Sequence, residues 1–119
     1  MYYHEQKKEA KRRTKNFRDN RLPKYLDYFE RVLAVNPNGD HYLSGGGISY
    51  ADLSLFQIIA GLRYAFPCTM NRIEADYPLL IALHDRVKAL PNIAAYLASK
   101  RRIPFNEDGI FRHYKELDP

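Results

Sequence analysis

The fold is decided by the stretch ISYADLSLFQIIAGLRYAFP, residues 48–67. Its opening predicts a capping box, in which the Ser49 hydroxyl accepts from the Asp52 amide and the Asp52 carboxylate reaches back to the Ser49 amide. The apolar residues that follow occur on nearly every side of a helix, which is typical of a buried element. We therefore predict an all-α bundle around a buried central helix at about residues 49–66, and assign Ser49 and Asp52 a structural role.

Local signals predict further helices on both sides of this segment. Pro78 and Pro91 suit first helical positions, whereas Pro23 predicts a kink or a break in the upstream helix. Gly61 weakens the central helix by about 1 kcal/mol relative to alanine, which suggests that a neighbouring helix approaches closely there. Upstream, apolar residues recur at helical spacing at Leu22, Leu26, Phe29 and Leu33.

Composition indicates one domain over residues 1–119, because the chain has 119 residues of which 45% are hydrophobic. The single cysteine, Cys68, excludes an internal disulfide, and it lacks the clear positive surroundings of a nucleophile. No apolar run approaches the ~20 residues that span a bilayer, and no signal-peptide pattern is present. We expect a cytoplasmic protein without a membrane contact.

Few residues suggest chemistry of their own. The four histidines lack metal-ligand spacing, so we predict no metal site, and the glycines at 45–47 lack the flanking residues of a phosphate loop. Ten tyrosines suit either a pocket for aromatic molecules or ordinary half-buried packing.

A basic stripe runs along the N-terminal region, where three acidic residues oppose nine basic ones. We interpret it as a solvated or partner-pairing face rather than a nucleic-acid site, because no binding motif accompanies it. Its members are Lys7, Lys8, Lys11, Arg12, Arg13, Lys15, Arg18, Arg21 and Lys24.

Four ordered segments resemble the C-terminal domain of glutathione transferases. They are residues 21–30 (RLPKYLDYFE), 48–53 (ISYADL), 77–79 (YPL) and 90–97 (LPNIAAYL). The resemblance implies an all-helical domain that supplies the hydrophobic pocket for a small electrophile, while a thioredoxin-like N-terminal domain binds glutathione as co-substrate. It also implies detoxification as the role, a homodimer as the full-length form, and no cofactor beyond glutathione.

The resemblance also suggests pocket residues. Tyr3, and after it Tyr2, match the end of the family helix that lines the electrophile pocket in several classes. Phe105 and Phe111 are expected to close the pocket from the tail. No catalytic residue is expected, since the family places it in the thioredoxin-like half, which this sequence lacks. The chain is therefore expected to be an inactive fragment of a longer enzyme.

Two alternatives remain open at this point. Helical domains of this type also serve as non-catalytic assembly modules, for example on translation factors and aminoacyl-tRNA synthetases, and the basic stripe fits that use. A small basic helical protein that binds nucleic acid is a third possibility, although it lacks a recognisable motif.

Overall fold

The computed structural model describes residues 3–37, 39, 42–43, 47–106 and 109–119. Within these ranges the chain forms short 3-10 turns at Tyr3–Glu5, Glu74–Asp76 and Lys115–Leu117 and no strand. The predicted all-α class is confirmed. The helices are α1 (Lys7–Asn16), α2 (Leu22–Val35), α3 (Tyr50–Ala65), α4 (Pro67–Ile73), α5 (Pro78–Lys88) and α6 (Pro91–Leu97).

A π-helical turn, Phe17–Arg21, joins α1 to α2. The Leu22 amide donates to the Phe17 carbonyl, five residues back. Pro23 explains this widened turn, because it has no N–H to donate and its ring would clash with the carbonyl four residues earlier. The expected disturbance near Pro23 is thus present, and α2 starts with the proline in its first turn.

The core lies where α3 packs against α4 and α5, and where α2 packs against α5. Leucines at helical spacing on α2 and α5 fill it, as their periodicity predicts. The fully buried apolar side chains of these two helices are Leu33, Leu80, Leu83 and Val87.

The central helix is less buried than its composition predicts. Leu55, Ile59 and Leu62 face the core, but Ile58 is 44% exposed. The prediction of a helix buried on every side is therefore wrong in part. The reason is positional: α4 and α5 cover one side of α3, while Ile58 opens onto a groove between α3 and α2.

Pro67 begins a helix rather than only ending one. The chain leaves α3 at Ala65 and re-enters a helix at Pro67, where α4 starts. Pro67 at the first position of α4 follows the usual preference, since that position needs no N–H donor.

Asp52 anchors the start of α3, as predicted. Both reciprocal bonds of the capping box are present, and the Ser49 amide donates to Asp52 Oδ2 at 2.8 Å. The same carboxylate also accepts from the Leu43 amide at 2.8 Å. Asp52 is 0% exposed, so its charge is stabilised by these bonds and by the positive end of the helix.

A second carboxylate caps a helix from a distance. Glu30 of α2 accepts from the Leu79 amide through Oε1 and from the Leu80 amide through Oε2, both at 2.9 Å. These amides lie in the first turn of α5, where a helix has no carbonyl of its own to accept their hydrogen bonds. Glu30 therefore fixes the position of α5 against α2.

Candidate functional site

The C-terminal tail, described over residues 98–106 and 109–119, lies across α3 through aromatic contacts. The Phe105 ring stacks on Tyr64 of α3, with centroids 5.2 Å apart and an interplanar angle of 22°. Phe111 meets Phe105 edge to face at 5.9 Å and 86°. Both geometries are favourable arrangements of aromatic quadrupoles. We call Tyr64, Phe105 and Phe111 the aromatic cluster.

Gly61 allows Phe111 to approach α3 closely. A Cβ atom at Gly61 would lie 2.5 Å from three ring carbons of Phe111, well inside an ordinary contact of about 3.5–4.0 Å. The predicted close approach is present, but the neighbour is a tail side chain and not another helix.

The end of the tail is held by hydrogen bonds. His113 Nδ1 donates to the Ala65 carbonyl at the end of α3, at 3.0 Å. Asp118, 3% exposed, accepts from the Cys68 amide at 2.7 Å and from the Thr69 amide at 2.8 Å. The Thr69 hydroxyl donates to the same carboxylate. Asp118 is therefore a remote cap of α4.

The Asp118 carboxylate is stabilised in its ionised form. Its burial by itself would raise the pKa, but hydrogen bonds from the Thr69 hydroxyl and from the Cys68 and Thr69 amides lower it, and the net shift in pKa is downward. The Cys68 thiol also contacts this carboxylate.

Two apolar clefts open on either side of Phe105. The first, which we call the tail cleft, has a volume of about 330 Å³. Its walls are Gln57, Ile103, Pro104, Phe105, Asn106, Gly109, Ile110 and Phe111. The second, which we call the helix cleft, has a volume of about 260 Å³. It lies between α3, α6 and the tail, and its walls are Leu53, Phe56, Gln57, Ile93, Tyr96, Leu97, Arg102, Ile103 and Phe105.

An apolar groove of about 380 Å³ lies on the other side of Phe111. Its lining residues come from the π-helical turn, α2, α3 and the tail, and all of them are hydrophobic or aromatic. They are Phe17, Leu22, Tyr25, Leu26, Phe29, Leu55, Ile58, Leu62 and Phe111. Leu22, Leu26, Leu55 and Leu62 form its buried floor, whereas Tyr25 and Ile58 are exposed on it.

A separate, polar cleft of about 620 Å³, which we call the basic cleft, runs along α1 and the π-helical turn. Four members of the basic stripe line it: Arg12, Arg13, Lys15 and Arg21. Two of its cations are paired within the helix: Arg12 with Glu9 at 2.8 Å and Lys15 with Asp19 at 2.6 Å. These pairs are exposed and contribute little stability. The lining also includes Arg13 and Arg21, so the net charge of this cleft is positive.

A polar cluster ties α3 to α5 behind the helix cleft. Arg63 binds Glu74 through two bonds, Nε to Oε1 at 2.6 Å and Nη2 to Oε2 at 3.2 Å. Arg63 Nη1 lies 3.4 Å from His84 Nδ1. The His84 ring, 4% exposed, stacks on Phe56 at 4.9 Å. Burial is the main cause of the lowered pKa of His84, and the nearby Arg63 lowers it further.

Comparison with known proteins decides the family. The profile described as "Glutathione S-transferase, C-terminal domain" matches residues 1–100. This chain belongs to the glutathione S-transferase family. The family assignment and the all-helical fold confirm the resemblance of the four ordered segments.

Several relatives agree with this assignment. Glutathione S-transferase P 1 of Xenopus laevis is 41% identical over 81 residues, which cover 68% of this chain and 36% of that protein. The glutathione S-transferase of Plasmodium yoelii yoelii is 34% identical over 86 residues, covering 71% and 38%. That of Dirofilaria immitis is 33% identical over 95 residues, covering 78% and 44%. The chain thus spans less than half the length of these relatives.

The structure brings two of the four predicted pocket residues of this glutathione S-transferase domain together. Phe105 and Phe111 are in contact in the aromatic cluster, beyond the matched residues 1–100. Tyr2 and the side chain of Tyr3 lie outside the described residues. The sequence offered Tyr64 as one of several tyrosines that suit a pocket, but it did not predict the contacts of Phe105 with Tyr64 and Arg102. Gly61 was the signal of a close contact on this face of α3.

No cluster of three or more histidine, cysteine, aspartate or glutamate side chains within the described ranges has the arrangement of a metal site. No described helix combines the length and the hydropathy needed to cross a bilayer.

Proposed function

We propose that this chain supplies the electrophile-binding half of an enzyme that conjugates glutathione to small hydrophobic electrophiles. The observation that carries this proposal is the position of Phe105. It contacts Tyr64 and Phe111 and forms a wall of both apolar clefts. Concave apolar surface with aromatic walls and a few polar groups is the usual character of small-molecule sites.

The chemistry requires a second component. Glutathione reacts through its thiolate, and lowering the pKa of a thiol raises the thiolate fraction at neutral pH. We assign that task to a thioredoxin-like domain of the longer protein. The tail cleft and the helix cleft would hold the electrophile beside the thiolate, and holding the two reactants together lowers the barrier to their reaction. The chain by itself is then inactive.

The apolar groove suits contact with the rest of that longer protein. Ile58 and Tyr25 are 44% and 50% exposed on it, and covering such side chains stabilises a complex by about 25 cal/mol per Å² of apolar area. We further propose a homodimeric, cytoplasmic enzyme with a role in detoxification.

The test compares the product of the complete reading frame with the 119-residue chain. Conjugation of glutathione to chlorodinitrobenzene is expected for the long form alone. Within the long form, Phe105→Ala should raise KM for the electrophile about tenfold and change kcat much less, because it removes binding that ground state and transition state share. Tyr28→Ala, on an exposed ring of α2, is the matched control and should change neither constant.

Two results would contradict the proposal. The first is a complete protein that neither conjugates glutathione nor binds to immobilised glutathione. The second is a Phe105→Ala enzyme whose KM equals that of the Tyr28→Ala control.

The basic cleft favours a second candidate, a non-catalytic assembly module. A cleft of about 620 Å³ with a net positive charge suits an acidic partner surface. Under this candidate, binding to an acidic partner or to RNA should weaken steeply as salt rises, because counterions compete for the cations. A complete protein that lacks transferase activity but shows such salt-sensitive binding would favour this function.

A further inference from the structure

The helix cleft has a rigid apolar floor. Leu53, Phe56 and Ile93 line it, and each is partly buried against the hydrophobic core. Phe56 is also held from behind by the stacked His84 ring. Side chains that are fixed by packing form a preorganised site, which lowers the entropy lost on binding.

One cation lies at this cleft. Arg102 is half-buried, and its guanidinium carbon lies 6.0 Å from the centroid of the Phe105 ring. Its amide donates to the Ser99 carbonyl. No carboxylate within the described ranges pairs with its guanidinium at 4.0 Å or less. The planar arrangement of the guanidinium N–H donors matches a carboxylate.

The tail cleft and the apolar groove differ from the helix cleft in the charge of the residues that line them. Among the described residues, those that line the tail cleft are uncharged, and those that line the apolar groove are hydrophobic or aromatic. The helix cleft, of about 260 Å³, lies just below the range of about 300–1,000 Å³ that holds drug-sized ligands. Its size therefore suits one aromatic ring with a short substituent.

We propose that the helix cleft binds a small aromatic carboxylate, with the ring against Leu53, Phe56 and Ile93 and the carboxylate on Arg102. This inference rests on the proposed function in one respect: the preferred electrophiles of the complete enzyme are then aromatic molecules that carry a carboxylate. The ligand site itself belongs to this chain.

The experiment titrates the 119-residue chain with trans-cinnamate and, separately, with the uncharged cinnamamide, followed by amide NMR shifts. Cinnamate should bind about five- to tenfold more tightly than the amide, because a charge-assisted pair forms at a partly desolvated site. Shifts should centre on Leu53 and Ile93. Arg102→Gln should make the two affinities equal, and Arg102→Lys should keep part of the preference. Arg101→Gln, an adjacent exposed arginine outside the cleft, should leave the preference unchanged.

Three outcomes would overturn the proposal: equal affinities for the two ligands, a preference that survives Arg102→Gln, or shifts centred on Leu55 and Ile58 of the apolar groove. The assay also separates this inference from the proposed function. A carboxylate preference in a protein that fails to conjugate glutathione supports the ligand site and contradicts only the enzyme. Conjugation of chlorodinitrobenzene without any carboxylate preference contradicts only the ligand site.

Discussion

The contact between Gly61 and Phe111 predicts that a normally stabilising substitution will destabilise this domain. Alanine at Gly61 would place a Cβ atom 2.5 Å from three carbons of the Phe111 ring. Ordinary carbon contacts lie at about 3.5–4.0 Å, so the ring would have to retreat by about 1 Å or more. Phe111 is held between Phe105 and α3, so its retreat displaces the tail.

Two opposing effects set the change in the free energy of unfolding that Gly61→Ala causes. Glycine to alanine inside a helix stabilises by about 1 kcal/mol, because the backbone of glycine loses more freedom on folding. Overpacking a filled contact costs about 1–3 kcal/mol. Gly61→Ala should therefore lower the free energy of unfolding by up to about 2 kcal/mol. In a Phe111→Ala background the clash is absent, and the same substitution should stabilise by about 1 kcal/mol.

The assay is a double-mutant cycle by urea denaturation, followed by far-ultraviolet circular dichroism because the chain has no tryptophan. The coupling energy between the two substitutions should be about 1–3 kcal/mol. If Gly61→Ala stabilises the chain equally with and without the Phe111 ring, Phe111 does not occupy this contact. The placement of the aromatic cluster would then be wrong.

Three further predictions concern the charged and titratable groups. Because burial lowers the pKa of His84, the unfolded chain binds the proton more tightly than the folded chain, and the stability of the fold should decrease as pH drops below about 6.5. Thermal melts at a series of pH values should show this decrease. His84→Gln should remove this pH dependence of the melting temperature, whereas the exposed His4→Gln should leave it unchanged. Asp118→Asn should lower the free energy of unfolding by about 1–2 kcal/mol and speed proteolysis of the tail. Because the pKa of Asp118 is lowered, the difference in stability between wild type and variant should disappear as pH falls below about 3.9. A difference in stability that persists in acid would contradict the role of Asp118 as a cap. Glu30→Gln should cost about 1 kcal/mol of unfolding free energy in urea denaturation, whereas the same change at the exposed Glu9 should have a much smaller effect.

The sequence predicted those parts of the fold whose causes are local. Ser49 and Asp52 are three residues apart, so the capping box needs no knowledge of the rest of the chain. The same holds for Pro78 and Pro91, which begin helices as expected. The exposure of Ile58 was missed because periodicity reports which residues are apolar, and not which side of a helix has a neighbour.

The candidate site was predictable only in part. The family resemblance pointed to Phe105 and Phe111, which are in contact in the structure, although their role in binding an electrophile stays a prediction. Nothing local connects Phe105 with Tyr64, and Arg102, although it is three residues from Phe105, is not placed against that ring by any regular helix. Those contacts depend on the path of an irregular tail with two prolines, for which no helical period exists.

The sequence by itself thus determined the helical class, the central helix with its Ser49–Asp52 cap and the family of the domain, because short-range caps and apolar periods encode them. Only the tertiary structure decided which carboxylates cap α4 and α5. Asp118 and Glu30 lie about fifty residues from the amides that they bind. Carboxylates occur along the whole chain, and the packing of the helices brings these two within hydrogen-bonding distance of the amides that open α4 and α5.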